Sequence, residues 1–158
     1  MKNVCFTGHR FIKKSDIEII RRRLCIRLKE LAENGTADFY SGGALGWDML
    51  CGEAVLSMKK EYPQIKLHMV LPCPPEQQTL RWHIKDIQRY NTILSLADSV
   101  EIVSPQYTAD CMFNRNRRLA QLADMCICFF DEKRIASGTG QTLRLMKNNS
   151  VPIENMFI

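Results

Sequence analysis

Apolar positions along the chain fall into two alternating patterns. Over residues 16–33 they recur at Ile17, Ile20, Leu24, Leu28 and Leu31, intervals of three and four that mark one face of an α-helix. Ser15, with Glu18 three residues on, reads as a capping box at its start, and Asn34-Gly35 stops it. Similar reasoning predicts helices over residues 45–62, 76–97, 112–123 and 137–148. Pro63 ends the first of these, and Pro75 suits the opening turn of the second, whose apolar face is Leu80, Ile84, Ile87 and Leu94. Between the helices lie short apolar runs at residues 3–7, 37–41, 65–71, 100–103, 125–130 and 151–153, each the length of a strand. The unbroken run at residues 125–130 is the pattern of a strand buried on both faces. Strict alternation of strand and helix predicts an α/β fold. It is a Rossmann-like three-layer arrangement, with a mostly parallel sheet and helices on both faces. No linker, repeat or low-complexity tract divides the 158 residues, so residues 1–158 are expected to form one domain.

Composition narrows the class. No apolar run approaches the roughly 20 residues needed to span a bilayer, and the apolar stretch at residues 4–6 is too short for a signal peptide. A cytoplasmic protein without a membrane role is expected. The net charge of +5 suits an anionic ligand but lacks the clustered basic stripe of a nucleic-acid footprint, so nucleic acid is disfavoured as a partner. The densest basic run, Arg21-Arg22-Arg23, reads as a solvated helix face. The seven cysteines include no CxxC pair and are expected to be reduced. Cys5, Cys25, Cys51, Cys126 and Cys128 sit in apolar runs and read as core, with no metal site. Cys73, between prolines after the third strand, reads as exposed near a ligand.

Open parallel sheets bind ligands beyond the carboxyl ends of their strands, so the residues following each strand carry the chemistry. These are Thr7-Gly8-His9-Arg10 after the first strand, then Ser41-Gly42-Gly43-Ala44-Leu45-Gly46-Trp47-Asp48 after the second. Pro72 follows the third. Asp131 and then Ser137-Gly138-Thr139-Gly140-Gln141-Thr142 follow the fifth. Two of these are glycine-rich turns opening into helices, where free N–H groups attract anions; Ser41, Thr139 and Thr142 add hydroxyls. Neither GxGxxG nor a Gly-Lys-Ser/Thr P-loop occurs, which disfavours a simple NAD dehydrogenase and an ATPase. Asp48 reads either as a ligand for ribose hydroxyls or a base, or as a carboxylate that stabilises the positive helix end. Glu53, five residues on, lies about 140° around the helix from it. Arg115 and Asn116 fall early in a helix, where cations oppose the dipole, and suggest an anionic partner, with solvated arginines as the alternative. Trp82 reads as packing rather than as a stacking platform for a base. No Ser/His/Asp, Cys/His or metal constellation is apparent, and sequence alone does not establish catalysis.

Together these motifs resemble the YpsA-like family of the SLOG superfamily, the Rossmann-like group that includes DprA and the Lonely Guy (LOG) proteins. The resemblance rests on Thr7-Gly8-His9-Arg10, on the run from Ser41 to Asp48, and on Pro72 with Gln78 and Trp82. Tyr107, Met112, Arg115-Asn116-Arg117 and Ala123-Asp124 extend it over most of the chain. It implies binding or sensing of a nucleotide or nucleotide-derived ligand of the ADP-ribose or NAD type. LOG relatives cleave ribose phosphate from a nucleotide with a PGGxGTxxE motif. Here Thr142 stands three residues after Thr139, where that motif has Glu. The expected partner is a small phosphate-bearing molecule, and a homo-oligomer is compatible with all of these readings. Two alternatives remain: an N-glycosidic-bond hydrolase using Asp48 or Glu53, and a single-stranded DNA-binding module like DprA.

Overall fold

The computed structural model describes residues 3–158. Six strands form one sheet: β1 (Asn3–Gly8), β2 (Asp38–Ser41), β3 (Lys66–Leu71), β4 (Ser99–Ile102), β5 (Met125–Phe129) and β6 (Ile153–Asn155). Their order is β4-β3-β2-β1-β5-β6, and every neighbouring pair is parallel. The α/β, Rossmann-like expectation therefore describes this molecule.

Alternation along the central strands builds two cores. Val4 and Phe6 of β1, with Met125, Ile127 and Phe129 of β5, face α1 (Ile17–Glu33), α2 (Trp47–Met58) and, after the four-residue α3 (Pro75–Gln78), α4 (Ile84–Leu96). Cys5, Cys126 and Cys128 face the opposite way, against α5 (Cys111–Leu122) and α6 (Gly138–Asn148). Period-2 alternation places them so, and the small apolar thiols pack in the second core. All seven cysteines are free and only Cys25 is partly exposed. Cys73, expected at the surface, is fully buried. No three His, Cys, Asp or Glu side chains converge as metal ligands among the described residues. No helix there is long and apolar enough to cross a membrane.

Several local expectations need correcting. Ser15 caps nothing: residues Lys14–Asp16 form a 3-10 turn, and α1 starts after Asp16 without a side-chain cap. The helix predicted over residues 76–97 is two helices. His83 restarts the chain, its Nδ1 accepting from the Lys85 N–H at 3.2 Å. The break turns Trp82 inward, edge-on to Tyr90 with ring centroids 5.2 Å apart, while the Tyr90 hydroxyl donates to Gln78 Oε1 at 2.6 Å. Consequently Leu80 is 79% exposed and the buried face of α4 is Tyr90 and Ile93.

Gly43 belongs to the glycine-rich turn after β2 that reads as an anion site. Instead it is buried at φ +72°, and a Cβ there would meet Leu71, Met69 and Tyr90 side chains at 3.1–3.2 Å. The substituent would point into the core, not toward a ligand. Gly43→Val is therefore expected to destabilise the fold by about 2–5 kcal/mol, from backbone strain and overpacking together. Thermal and urea denaturation check this; a wild-type melting curve would refute it.

Candidate functional site

The sheet order reverses between β1 and β5. From β1 the chain leaves to α1 on one face, and from β5 to α6 on the other. This divergence opens a crevice at the carboxyl ends of the two strands, where parallel sheets hold ligands. It is a cleft of about 330 Å³ lined by Thr7, Gly8, His9, Arg10, Phe11, Ala44, Asp48, Met112, Arg115, Asn116, Leu119, Arg134, Ser137, Gly138, Thr139 and Thr142.

One wall is the start of α6. The Ser137 hydroxyl caps it, accepting from the Gly140 N–H at 3.1 Å, and Gln141 N–H bonds Ser137 O at 3.0 Å. The N–H groups of Gly138 and Thr139 then have no acceptor among the described residues, and they carry the positive end of the helix dipole. A Cβ at Gly138 would meet nothing within 4 Å, so the space beside it is open. The Thr142 hydroxyl is already spent on Gly138 O, at 3.0 Å.

His9 forms the floor. Its Nε2 accepts from the Asp131 N–H at 2.9 Å, so the proton of the neutral ring sits on Nδ1. Burial, then the nearby Arg134 charge, lowers its pKa, with Asp131 opposing. Asp131 itself serves this loop, its Oδ1 accepting from Lys133 N–H at 3.0 Å, and does not line the cleft.

Opposite α6 stand a buried carboxylate and a buried guanidinium. Asp48 lies in the first turn of α2, 5% exposed. Its Oδ2 accepts from Ala44 N–H at 3.3 Å, while Oδ1 is buried with no hydrogen-bond partner. Burial pushes its pKa up to about 6, against the opposing pull of Arg115, the Ala44 N–H and Arg10. Arg115 reaches from α5 to donate to Gly42 O and, at 2.9 Å, to Asn116 Oδ1. Burial lowers its pKa, which Asp48 partly offsets. It makes no hydrogen bond to Asp48.

The remaining predicted residues do not line the cleft. Ser41 Oγ is fully buried, donating to Asp48 O at 2.9 Å and accepting from Gly43 N–H at 3.3 Å, so this hydroxyl braces the turn. Gly42 abuts Arg115, and Gly46, at φ +80°, lies against the Arg10 carbonyl where no Cβ fits. Pro72 is buried, its carbonyl accepting from Ser104 N–H. Glu53 points away to an ion pair with Arg89 at 2.7 Å and lines a different depression, so it does not share the cleft with Asp48. Of the basic run on α5, Arg118 pairs with Glu101 and Arg117 lies 5.9 Å over the Phe113 ring.

Among the lining residues that escaped the sequence reading are two that follow strands. Phe11 is 73% exposed at the cleft mouth, and Arg134 sits between β5 and α6. Both follow strands whose ends meet at the switch, and that position was the available signal. Elsewhere, His68 of β3 bridges Ser99 Oγ of β4 (2.6 Å) and Asp38 Oδ1 of β2 (2.7 Å). None of the three lines the cleft, and Asp38 begins β2, at the opposite end of the strands.

Because the folded-state pKa of Asp48 lies above its unfolded value, folding takes up a proton between about pH 4 and 6. This group therefore adds stability as pH falls through 6 and withdraws it above. Relative to wild type, Asp48→Asn, which cannot titrate, is expected to gain stability between pH 4 and pH 8. Denaturant titrations at both pH values measure the gap; a gap independent of pH would contradict the assignment.

The sequence pattern of the YspA SLOG family matches residues 5–156. A UPF0398 protein of Bacillus pumilus (strain SAFR-032) is 29% identical over 146 residues, 87% of this chain and 77% of the relative. A UPF0398 protein of Bacillus cereus (strain B4264) is 28% identical over 146 residues, 87% of this chain and 78% of the relative. Among solved structures, DNA processing protein A from Helicobacter pylori, studied for its single-stranded DNA binding mode, superposes with a TM-score of 0.66 at 21% identity. The match covers 98% of this chain but only 64% of that one. TM1055, a structural-genomics target, gives 0.60 at 17% identity, covering 97% of this chain and 72% of that one. At such identities these two likenesses concern the fold.

Proposed function

The chain belongs to the YspA SLOG family, and from that premise we propose that it binds a nucleotide or nucleotide-derived ligand in the cleft between β1 and β5. The observation that carries this reading is the start of α6. Two N–H groups without acceptors, an open space beside Gly138, and the Arg10 and Arg134 side chains lining the same cleft suit a phosphate. A cleft of about 330 Å³ lies at the small end of the usual range for ligand pockets, about 300–1,000 Å³. A mononucleotide is the compact occupant of this class. An ADP-ribose or NAD-like ligand would extend past Arg10 and Phe11 into the adjoining depression that both also line. Phe11, exposed at the mouth, supplies a face for a base.

A second reading has its own support. The carboxyl of Asp48, buried and with a pKa of about 6, is suited to exchange a proton near neutral pH, as N-glycosidic hydrolysis requires. Release of ribose 5-phosphate from AMP, followed by chromatography, separates hydrolysis from binding. Single-stranded DNA is the rival occupant. The likeness to DNA processing protein A weakens the expectation that nucleic acid is disfavoured.

Two variants test the binding reading by calorimetric titration with AMP and ADP-ribose. Gly138→Val places bulk where the phosphate would sit without a clash in the protein. At least tenfold weaker binding with an unchanged melting curve is expected; undiminished binding would remove α6 as the phosphate site. Phe11→Ala is expected to weaken AMP by about 1–3 kcal/mol, the worth of one base stacked on an aromatic ring, while sparing ribose 5-phosphate. Equal losses for both ligands would exclude stacking there.

A further inference from the structure

We propose that Asp48 selects a ligand with free ribose hydroxyls, its Oδ1 accepting a hydrogen bond from the 2′,3′ pair. The inference rests on the phosphate reading above and deepens it by naming the sugar. Among the described residues, Asp48 Oδ1 is the only buried side-chain oxygen or nitrogen without a partner. Buried polar atoms in folded proteins are almost always satisfied, so an orphan on a residue that lines a ligand cleft points to the ligand as its partner.

The missing partner must be a donor. A phosphate offers none, and its charge would be repelled by the carboxylate. The neighbouring cations do not fill the role: the Arg115 donors go to Gly42 O, Asn116 Oδ1 and, at 3.9 Å, Met112 Sδ. Arg10 acts on Asp48 only through its charge. The groups that face this carboxyl are Ala44 N–H from the β2–α2 turn, Arg115 from α5, Arg10 from the β1–α1 loop, Cys51 from α2 itself and Cys126 from β5. None donates to Oδ1. The occupant therefore carries an anion at one end, toward Gly138 and Thr139, and a hydroxyl donor at the other.

Ribose phosphate has both groups on one small ring. A DNA strand has neither free hydroxyl within its length, since the 3′ oxygen is esterified and the 2′ oxygen absent. Sites built to bond a hydroxyl reject analogues lacking it, because the protein acceptor is then left desolvated and unpaired. The ionised carboxylate is the stronger acceptor, so the preference is expected to be greatest at pH 7.5, above the raised pKa of about 6.

The test titrates wild type at pH 7.5 with AMP, 2′,3′-dideoxy-AMP and inorganic phosphate, and repeats the nucleotides with Asp48→Asn. AMP is expected to bind at least tenfold tighter than the dideoxy analogue to wild type, and the ratio to fall toward one in the variant. Equal affinities in the wild type would overturn the hydroxyl assignment. So would displacement of AMP by an oligodeoxythymidylate as effective as AMP itself. If both nucleotides bind equally and phosphate competes with them, the phosphate reading stands while this inference falls. If neither nucleotide nor phosphate binds, both fall. The wild-type comparison decides the matter even if the variant fails to fold.

Discussion

A guanidinium removed from water must have its donors used and its charge answered, or the structure holding it becomes costly. Arg115 is 5% exposed, and its position dictates much of the surrounding geometry. Its reach to the Gly42 carbonyl sets the distance between α5 and the β2–α2 turn. Gly42 has to lack a side chain because a Cβ there would occupy the guanidinium's place. Asn116 must turn its amide oxygen inward to accept. The carboxylate of Asp48, held by Ala44 N–H, supplies the answering charge at a remove. An ion pair closed by direct hydrogen bonds would have consumed Asp48. Because it is answered at a distance, one carboxylate oxygen stays available, and the cleft keeps a polar wall facing a cationic one.

This arrangement explains why the architecture was legible in the sequence and the detail of the site was not. Strand and helix alternated with the periods that parallel sheets impose, and continuous burial of residues 125–129 in β5 made the central strand plain. The rule that ligands gather beyond strand ends led to Gly8, His9, Arg10, Asp48, Gly138 and Thr139, which share the cleft. Glycines proved ambiguous, because a missing side chain serves a ligand, a neighbouring residue or a strained turn equally well. Gly43 makes room for the core, Gly42 for Arg115, and Gly138 for open space. Only three-dimensional packing distinguishes them. Ser41 was misread for a related reason: a hydroxyl after a strand can brace its own turn as readily as it can meet a phosphate.

Amphipathic periodicity failed where aromatic packing overrode it. Leu80 and Ile84 fit a helical stripe with Ile87 and Leu94, yet the chain breaks before Ile84 and leaves both exposed. Seating Trp82 and Gln78 against Tyr90 requires a turn that a continuous helix would not allow. Tyr90 of this cluster also lies against Gly43, where an added Cβ would stand 3.2 Å from its ring.

The pairing of β1 with β5 also governs the order in which the molecule can be assembled. Residues 3–8 find β2 within the next few dozen residues of chain, but their other edge waits for a strand beginning at Met125. During synthesis, the half made of β1 to β4 therefore exists with one flank of its central strand unpaired and the Cys5 face uncovered. Each long-range closure is slow, because the intervening chain must be gathered before any contact rewards it. The binding crevice has no existence in that half-sheet. Arg10 and Asp48 are present early, yet Arg115, Arg134 and the α6 amides come from the later half, so recognition begins only when the last crossover has closed.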